Sequence, residues 1–187
     1  MYVREAKKRE EVWLLDRLEE FDIDDPAFRS RDYVIALDED AGRKVGFGRF
    51  RVHSTDPEFC EVTAVGVLDD WQSQGVGAHI LERLVEIAHD RGFDTVYAFT
   101  SLVEYLERFG FETVSEESLT TPQRERLAAV HEEADPDAVP LAVTGEKFTI
   151  PRRLRHRFED DDTGSEESAE DFGIDPESAT YKYDTGR

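Results

Sequence analysis

The sequence predicts a mixed α/β fold in which helices flank a central sheet, and three observations carry that reading. Apolar spacing switches repeatedly between two-residue alternation and helical periodicity, with no internal repeat. The first pair of strand-like segments is joined by a tight turn, as in a hairpin, whereas later strands are separated by helices, so the sheet is mixed rather than all parallel. A chain of 187 residues, 39% hydrophobic, suits one domain with a modest appendage.

In order along the chain, residues 2–6 suit a short strand. Residues 8–21 suit a helix whose inner face is expected to hold Val12, Leu15 and Leu18, widened by Trp13 and Leu14. Residues 22–32 read as loop or short helix. The run Tyr33-Val34-Ile35-Ala36-Leu37 is a strand, Asp38 to Arg43 a turn, and Lys44 to Ser54 the returning strand. A third strand, Phe59 to Leu68, is too continuously apolar for a solvent-facing edge and is expected near the centre. Val76, Ile80, Leu84, Ile87 and Ala88 then mark a helix from Gly75 to Arg91, stopped by Gly92. Thr95 to Thr100 is a strand, Val103 to Phe109 a short helix, Phe111 to Val114 a strand and Gln123 to Ala134 a helix. Residues 139–143 and 147–150 are expected to be extended.

Charge limits the function classes. The chain carries 44 acidic against 23 basic residues, a net charge of −21, which excludes an ordinary nucleic-acid binder. No stretch approaches the roughly 20 apolar residues of a membrane span, and Met1 to Glu5 lacks the apolar run of a secretory signal, so no membrane partner and a cytoplasmic location are expected. A single cysteine, Cys60, excludes an intramolecular disulfide and a cysteine-only zinc site, and no metal is expected. The acidic excess runs through segments with regular patterning, as in a solvated coat suited to a halophilic, salt-filled cytoplasm where screening is strong.

Three segments are expected: a folded domain at 1–150, a basic connector at 151–158 and an acidic, mostly disordered tail at 159–187. The tail holds eleven acidic and two basic residues, −9 of the −21, leaving −12 on the rest of the chain. The connector, Arg152-Arg153-Leu154-Arg155-His156-Arg157, reads as a strip neutralised by the adjacent tail, with an RNA-binding strip as the alternative.

The junction between the third strand and the long helix is the informative one: Gln72-Ser73-Gln74-Gly75-Val76-Gly77. A glycine-containing turn at a helix start presents unpaired amides and the positive end of the helix dipole, a ready anion site. It is neither a dinucleotide fingerprint nor a nucleoside triphosphate loop. On spacing alone it fits a plain glycine-rich helix start equally well.

The run Gln-x-x-Gly-x-Gly, preceded by Val67 and Trp71, resembles the acetyl-CoA loop of the GNAT superfamily of acetyltransferases. Val45-Gly46-Phe47-Gly48 and Gly110-Phe111 match two further motifs, so the resemblance spans roughly residues 1–150. Glu61-Val62-Thr63-Ala64-Val65-Gly66-Val67 and Tyr105-Leu106-Glu107-Arg108-Phe109-Gly110-Phe111 look most like the N-acetylglutamate synthase branch. The resemblance implies a GNAT-like, mostly antiparallel sheet splayed between the strands 59–68 and 95–100. It implies acetyl-CoA as cosubstrate, with the backbone of Gln72, Ser73, Gln74, Gly75, Val76 and Gly77 cradling the pyrophosphate and that of Val65 and Val67 pairing with the pantetheine arm.

The same resemblance implies direct transfer of the acetyl group to a primary amine, which needs a base for the ammonium and an acid for the departing thiolate. Glu61 matches the strand glutamate many relatives use as base, its alternative being one more surface carboxylate. His53 and His79 are lesser proton-handling candidates. The usual tyrosine position is Leu106 here and the tyrosine is Tyr105, a rotation of about 100° on a helix, so Tyr105 is either the acid or a packing residue. Arg49 and Arg51 share a strand face that could hold an acceptor carboxylate, or are surface charges. A small amine or amino acid is the first expected acceptor and a protein N-terminus or lysine the second. A non-catalytic acetyl-CoA sensor or scaffold is the alternative class, and a homodimer is left open.

Overall fold

The computed structural model describes residues 1–159; the expected acidic tail, beyond Glu159, lies outside the described residues. Seven strands form one sheet: β1 (Tyr2–Glu5), β2 (Tyr33–Asp38), β3 (Arg43–His53), β4 (Phe59–Val67), β5 (Thr95–Thr100), β6 (Glu112–Thr113) and β7 (Val139–Thr144), in the order β1-β2-β3-β4-β5-β7-β6. All neighbours are antiparallel except β4 and β5. The mixed, mostly antiparallel sheet flanked by helices is the architecture the sequence predicts, and β4 is central as expected.

One face carries α2 (Val76–Asp90), whose Ile80, Leu81, Leu84 and Ala88 are wholly buried. Burial of each large aliphatic contributes about 1.5–3 kcal/mol. The close approach depends on β3: a Cβ on Gly48 would stand 2.3 Å from Ile80 Cγ2. The opposite face carries α1 (Glu11–Glu20) over β2 and β3, and α4 (Thr121–Glu133) over β4 and β5. There Phe47 meets Trp13 and Phe21 edge-on, at 6.4 and 5.4 Å between ring centroids. The short helix α3 (Val103–Glu107) follows β5, with Leu106 buried in the α2-side core.

Two expectations change. The inner face of α1 is Leu14 and Leu18, whereas Val12 and Leu15 are 70% and 48% exposed. A ten-residue helix with this many apolar side chains permits two stripes, and contact with Phe47 selects one. Residues 147–150 form no strand. They cross the end of α3, where Thr149 N–H donates to the Phe109 carbonyl at 3.1 Å and Phe148 stacks on Phe109. Ile150 is buried there, so these side chains gain burial without a sheet ladder. The basic run beyond them is helical, α5 (Arg152–Glu159).

Candidate active site

β4 and β5 pair only at Cys60–Val96 and Glu61–Tyr97, and beyond that point they diverge. The opening is a cavity of about 580 Å³ that passes through the plane of the sheet. Leu81 of α2 lines it on one side, and Arg126 and Val130 of α4 with Phe21 line it on the other. Glu61 lies where the strands part.

The register of β3 on β4 determines which backbone groups face this opening. Leu68 N–H donates to the Val45 carbonyl at 2.9 Å, so the pair Gly46–Val67 is a non-hydrogen-bonded one. Alternation makes Gly48–Val65 another. The amides and carbonyls of Val65 and Val67 therefore point away from β3, into the cleft, as an exposed strand edge does. Gln72 Nε2 donates to the Val67 carbonyl at 3.2 Å, consistent with that direction. The register then shifts between Arg49 and Phe50, leaving Thr63 unpaired across from β3. Its hydroxyl lines the cavity and, among the described residues, has no hydrogen-bond partner.

At the top of the cleft the Gln72–Gly77 turn surrounds a second cavity of about 700 Å³, which shares Val67, Gln72 and Tyr105 with the first. Ser73 and Gly75 have left-handed backbones, φ 60° and 90°, and the turn from Gln72 to Gly77 lines one concavity. Gly75 is the residue before α2 and offers no side chain to cap it, so first-turn amides stay available to an anion. Arg108, one turn beyond Tyr105, also lines this cavity, and so does Arg153 of α5.

Glu61 is not an ordinary surface carboxylate. Its side chain is 2% exposed and accepts two hydrogen bonds from Arg126, Nε to Oε2 at 2.8 Å and Nη2 to Oε1 at 3.1 Å. His53 Nε2 lies 2.7 Å from the same Oε2, its ring stacked on Phe59 at 4.2 Å. Burial alone would push the Glu61 carboxyl up, but bonds from His53 and Arg126 and the guanidinium charge outweigh it and hold the carboxyl below its ordinary range. Glu61 is therefore ionised at neutral pH. Its neighbour Cys60 faces the core, where burial pushes the thiol up to about 12 and keeps it protonated.

The Tyr105 ring packs edge-on against Phe109 and lines both cavities. A Cβ on Gly77 would stand 2.6 Å from the Tyr105 hydroxyl, which therefore lies over the start of α2. Burial raises its pKa, so it holds a proton at neutral pH. The rotation by one position thus keeps Tyr105 in the cleft and puts Leu106 in the core.

Arg49 does not reach the cleft: its guanidinium pairs with Asp25 at 3.0 Å, over the Tyr33 ring, with 6% exposure. Neither it nor Arg51 lines the cavity. The cation that does is Arg126, which sequence reasoning missed because helix α4 carries no motif and only the packed structure brings it 65 positions back to Glu61. His53 had a visible signal, since it stands opposite Phe59 on β4, two residues from Glu61 and on the same face of the sheet.

Residues 2–111 match the model of the acetyltransferase (GNAT) family. Mycothiol acetyltransferase of Mycolicibacterium vanbaalenii is 32% identical over 120 residues, covering 59% of this chain and 35% of that protein. Among solved structures, a Mycobacterium tuberculosis protein, Rv2747, in complex with CoA superposes with a TM-score of 0.63 at 19% identity over 77% of this chain and 99% of the other. N-acetylglutamate synthase of Neisseria gonorrhoeae, complexed with CoA and N-acetyl-glutamate, gives a TM-score of 0.60 at 20% identity, over 76% of this chain and 34% of that one. The chain thus spans about a third of the length of both the mycothiol enzyme and the synthase.

Proposed function

The chain belongs to the acetyltransferase (GNAT) family, whose cosubstrate is acetyl-CoA, and from that premise we propose that it moves the acetyl group of acetyl-CoA directly to the primary amine of a small amine or amino acid. The observation that supports this best is a pair of adjoining cavities, sharing Val67, Gln72 and Tyr105, that run from the Gln72–Gly77 turn, past the outward-facing backbone of Val65 and Val67, to the buried carboxylate of Glu61.

In this reading the amides from Gln72 to Gly77 hold the pyrophosphate, and the edge of β4 at Val65 and Val67 pairs with the pantetheine arm. The thioester then lies where β4 and β5 part. The acceptor enters from the α4 side, between Phe21, Arg126 and Asp135. An ammonium must lose a proton before it attacks, and Glu61, ionised and at the cleft, accepts it directly or through water. His53, bonded to the same carboxylate oxygen, is placed to pass the proton outward. The protonated Tyr105 hydroxyl is the acid for the thiolate. No metal takes part in this scheme. The acidic surface suits a salt-filled cytoplasm.

A second reading, an acetyl-CoA-binding sensor or scaffold without turnover, is favoured by one feature: Arg126 occupies both oxygens of Glu61. Release of CoA from acetyl-CoA, measured at high salt over a panel of amines, amino acids, peptide N-termini and lysine peptides, separates the readings. Turnover on free amines or amino acids is expected. Turnover on peptides alone would move the acceptor to proteins, and tight binding without turnover would overturn the enzyme.

A further inference from the structure

A protein of net charge −21 that binds a strongly anionic cosubstrate needs local cations, and the Gln72–Gly77 turn supplies only main-chain dipoles, with Asp69 and Asp70 just before it. The basic run begins α5, and its first residues lie beside the turn. α5 is seated against the turn by several independent contacts. Leu154 packs on the α2-side core. Its carbonyl accepts from His79 Nε2 at 3.4 Å and lies 3.0 Å from where a Gly75 Cβ would be. Arg155 Nη2 pairs with Glu82 Oε1 at 3.2 Å, and His79 Nδ1 lies 3.3 Å from Glu82 Oε2. These contacts fix the first turn of α5 on Gly75 and α2, and they leave Arg153 on the wall of the turn's cavity together with Arg108.

We propose that α5 is a wall of the acetyl-CoA site and that Arg153, with Arg108, binds the phosphate groups of the cosubstrate. Arg155 and Leu154 hold the helix in place, and Arg153 supplies the charge. Arg108 lies within the matched family region, residues 2–111, and Arg153 lies beyond it. The inference rests on the reading of Gln72–Gly77 as the pyrophosphate cradle.

The test is calorimetric titration of the full chain and its Arg153→Ala and Arg153→Glu variants with acetyl-CoA and with acetyl-dephospho-CoA, alongside thermal melts. Affinity for acetyl-CoA should fall about tenfold in R153A, the scale of one charge-assisted hydrogen bond at a partly exposed site, and further in R153E. Melting temperatures should stay unchanged. A loss that persists with the dephospho analogue assigns Arg153 to the diphosphate, and a loss that disappears assigns it to the 3′-phosphate. Affinities within twofold of the unaltered chain in both variants would overturn the inference, as would a loss that appears only with a lowered melting temperature. Failure of the unaltered chain to bind acetyl-CoA would instead overturn the reading of the turn on which it rests.

Discussion

At the upper end of the cleft the proposed binding groups are main-chain amides of a turn shaped by the left-handed Ser73 and Gly75. At the lower end they are charged side chains drawn from β3, β4 and α4: His53, Glu61 and Arg126. The first is largely a local device, written into six consecutive residues, with Arg108 and Arg153 as its only charged wall among the described residues. The second is assembled across 73 positions of sequence, between His53 and Arg126, and its properties follow from burial. In the proposed reading the upper end depends mainly on a backbone shape that the glycines permit. The lower end depends on a balance in which desolvation of a carboxylate is overcome by two partners.

Glu61→Gln probes the lower end and should have the largest effect. Turnover should drop by about 10²- to 10⁴-fold, the range of a lost general base, with acetyl-CoA affinity within twofold. The pH dependence has a definite sign. The folded carboxyl is held below its ordinary range, so its contribution to stability is present above the unfolded-state pKa of about 4.3 and is lost as pH falls through the lower folded value. The melting-temperature gap between the unaltered chain and E61Q should therefore be constant near neutrality and shrink below about pH 4.5. Unchanged turnover would remove Glu61 as the base.

Gly75→Val tests the upper end. A β-branched residue is strained at φ 90° and would press on the Leu154 backbone. Acetyl-CoA should bind about 10- to 100-fold more weakly by calorimetry, while the Glu61 cluster, and hence the acid limb of the melting profile, stays as it was. Equal affinity would show that the cradle is elsewhere.

Salt should give the smallest effect and separates exposed from buried charge. Lowering potassium chloride from about 3 M to 0.1 M lengthens the Debye length from under about 3 Å to about 10 Å and unscreens the acidic coat. The melting temperature should fall by about 5 °C or more, on a scale of about 2–4 °C per kcal/mol for a chain this size. The pH at which the E61Q gap shrinks should move little, because buried pairs are poorly screened. A melting temperature independent of salt would overturn the halophile reading.

The sequence by itself determined most of the elements, the hairpin, the central position of β4 and the turn at Gln72–Gly77, because these depend on periodicity and on glycine placement over short stretches of chain, whereas the packing of 147–150 and the helix α5 did not show in it. It also marked Glu61 and Tyr105 as residues to look at. Only the tertiary structure decided which stripe of α1 is buried, since Leu14 and Leu18 win over Val12 and Leu15 through contact with Phe47. It likewise took Arg49 out of the cleft by pairing it with Asp25, brought Arg126 to Glu61, and set α5 beside Gly75. In each case the deciding quantity is how a charge or an apolar face is desolvated by groups remote in sequence, and local patterning carries no information about that.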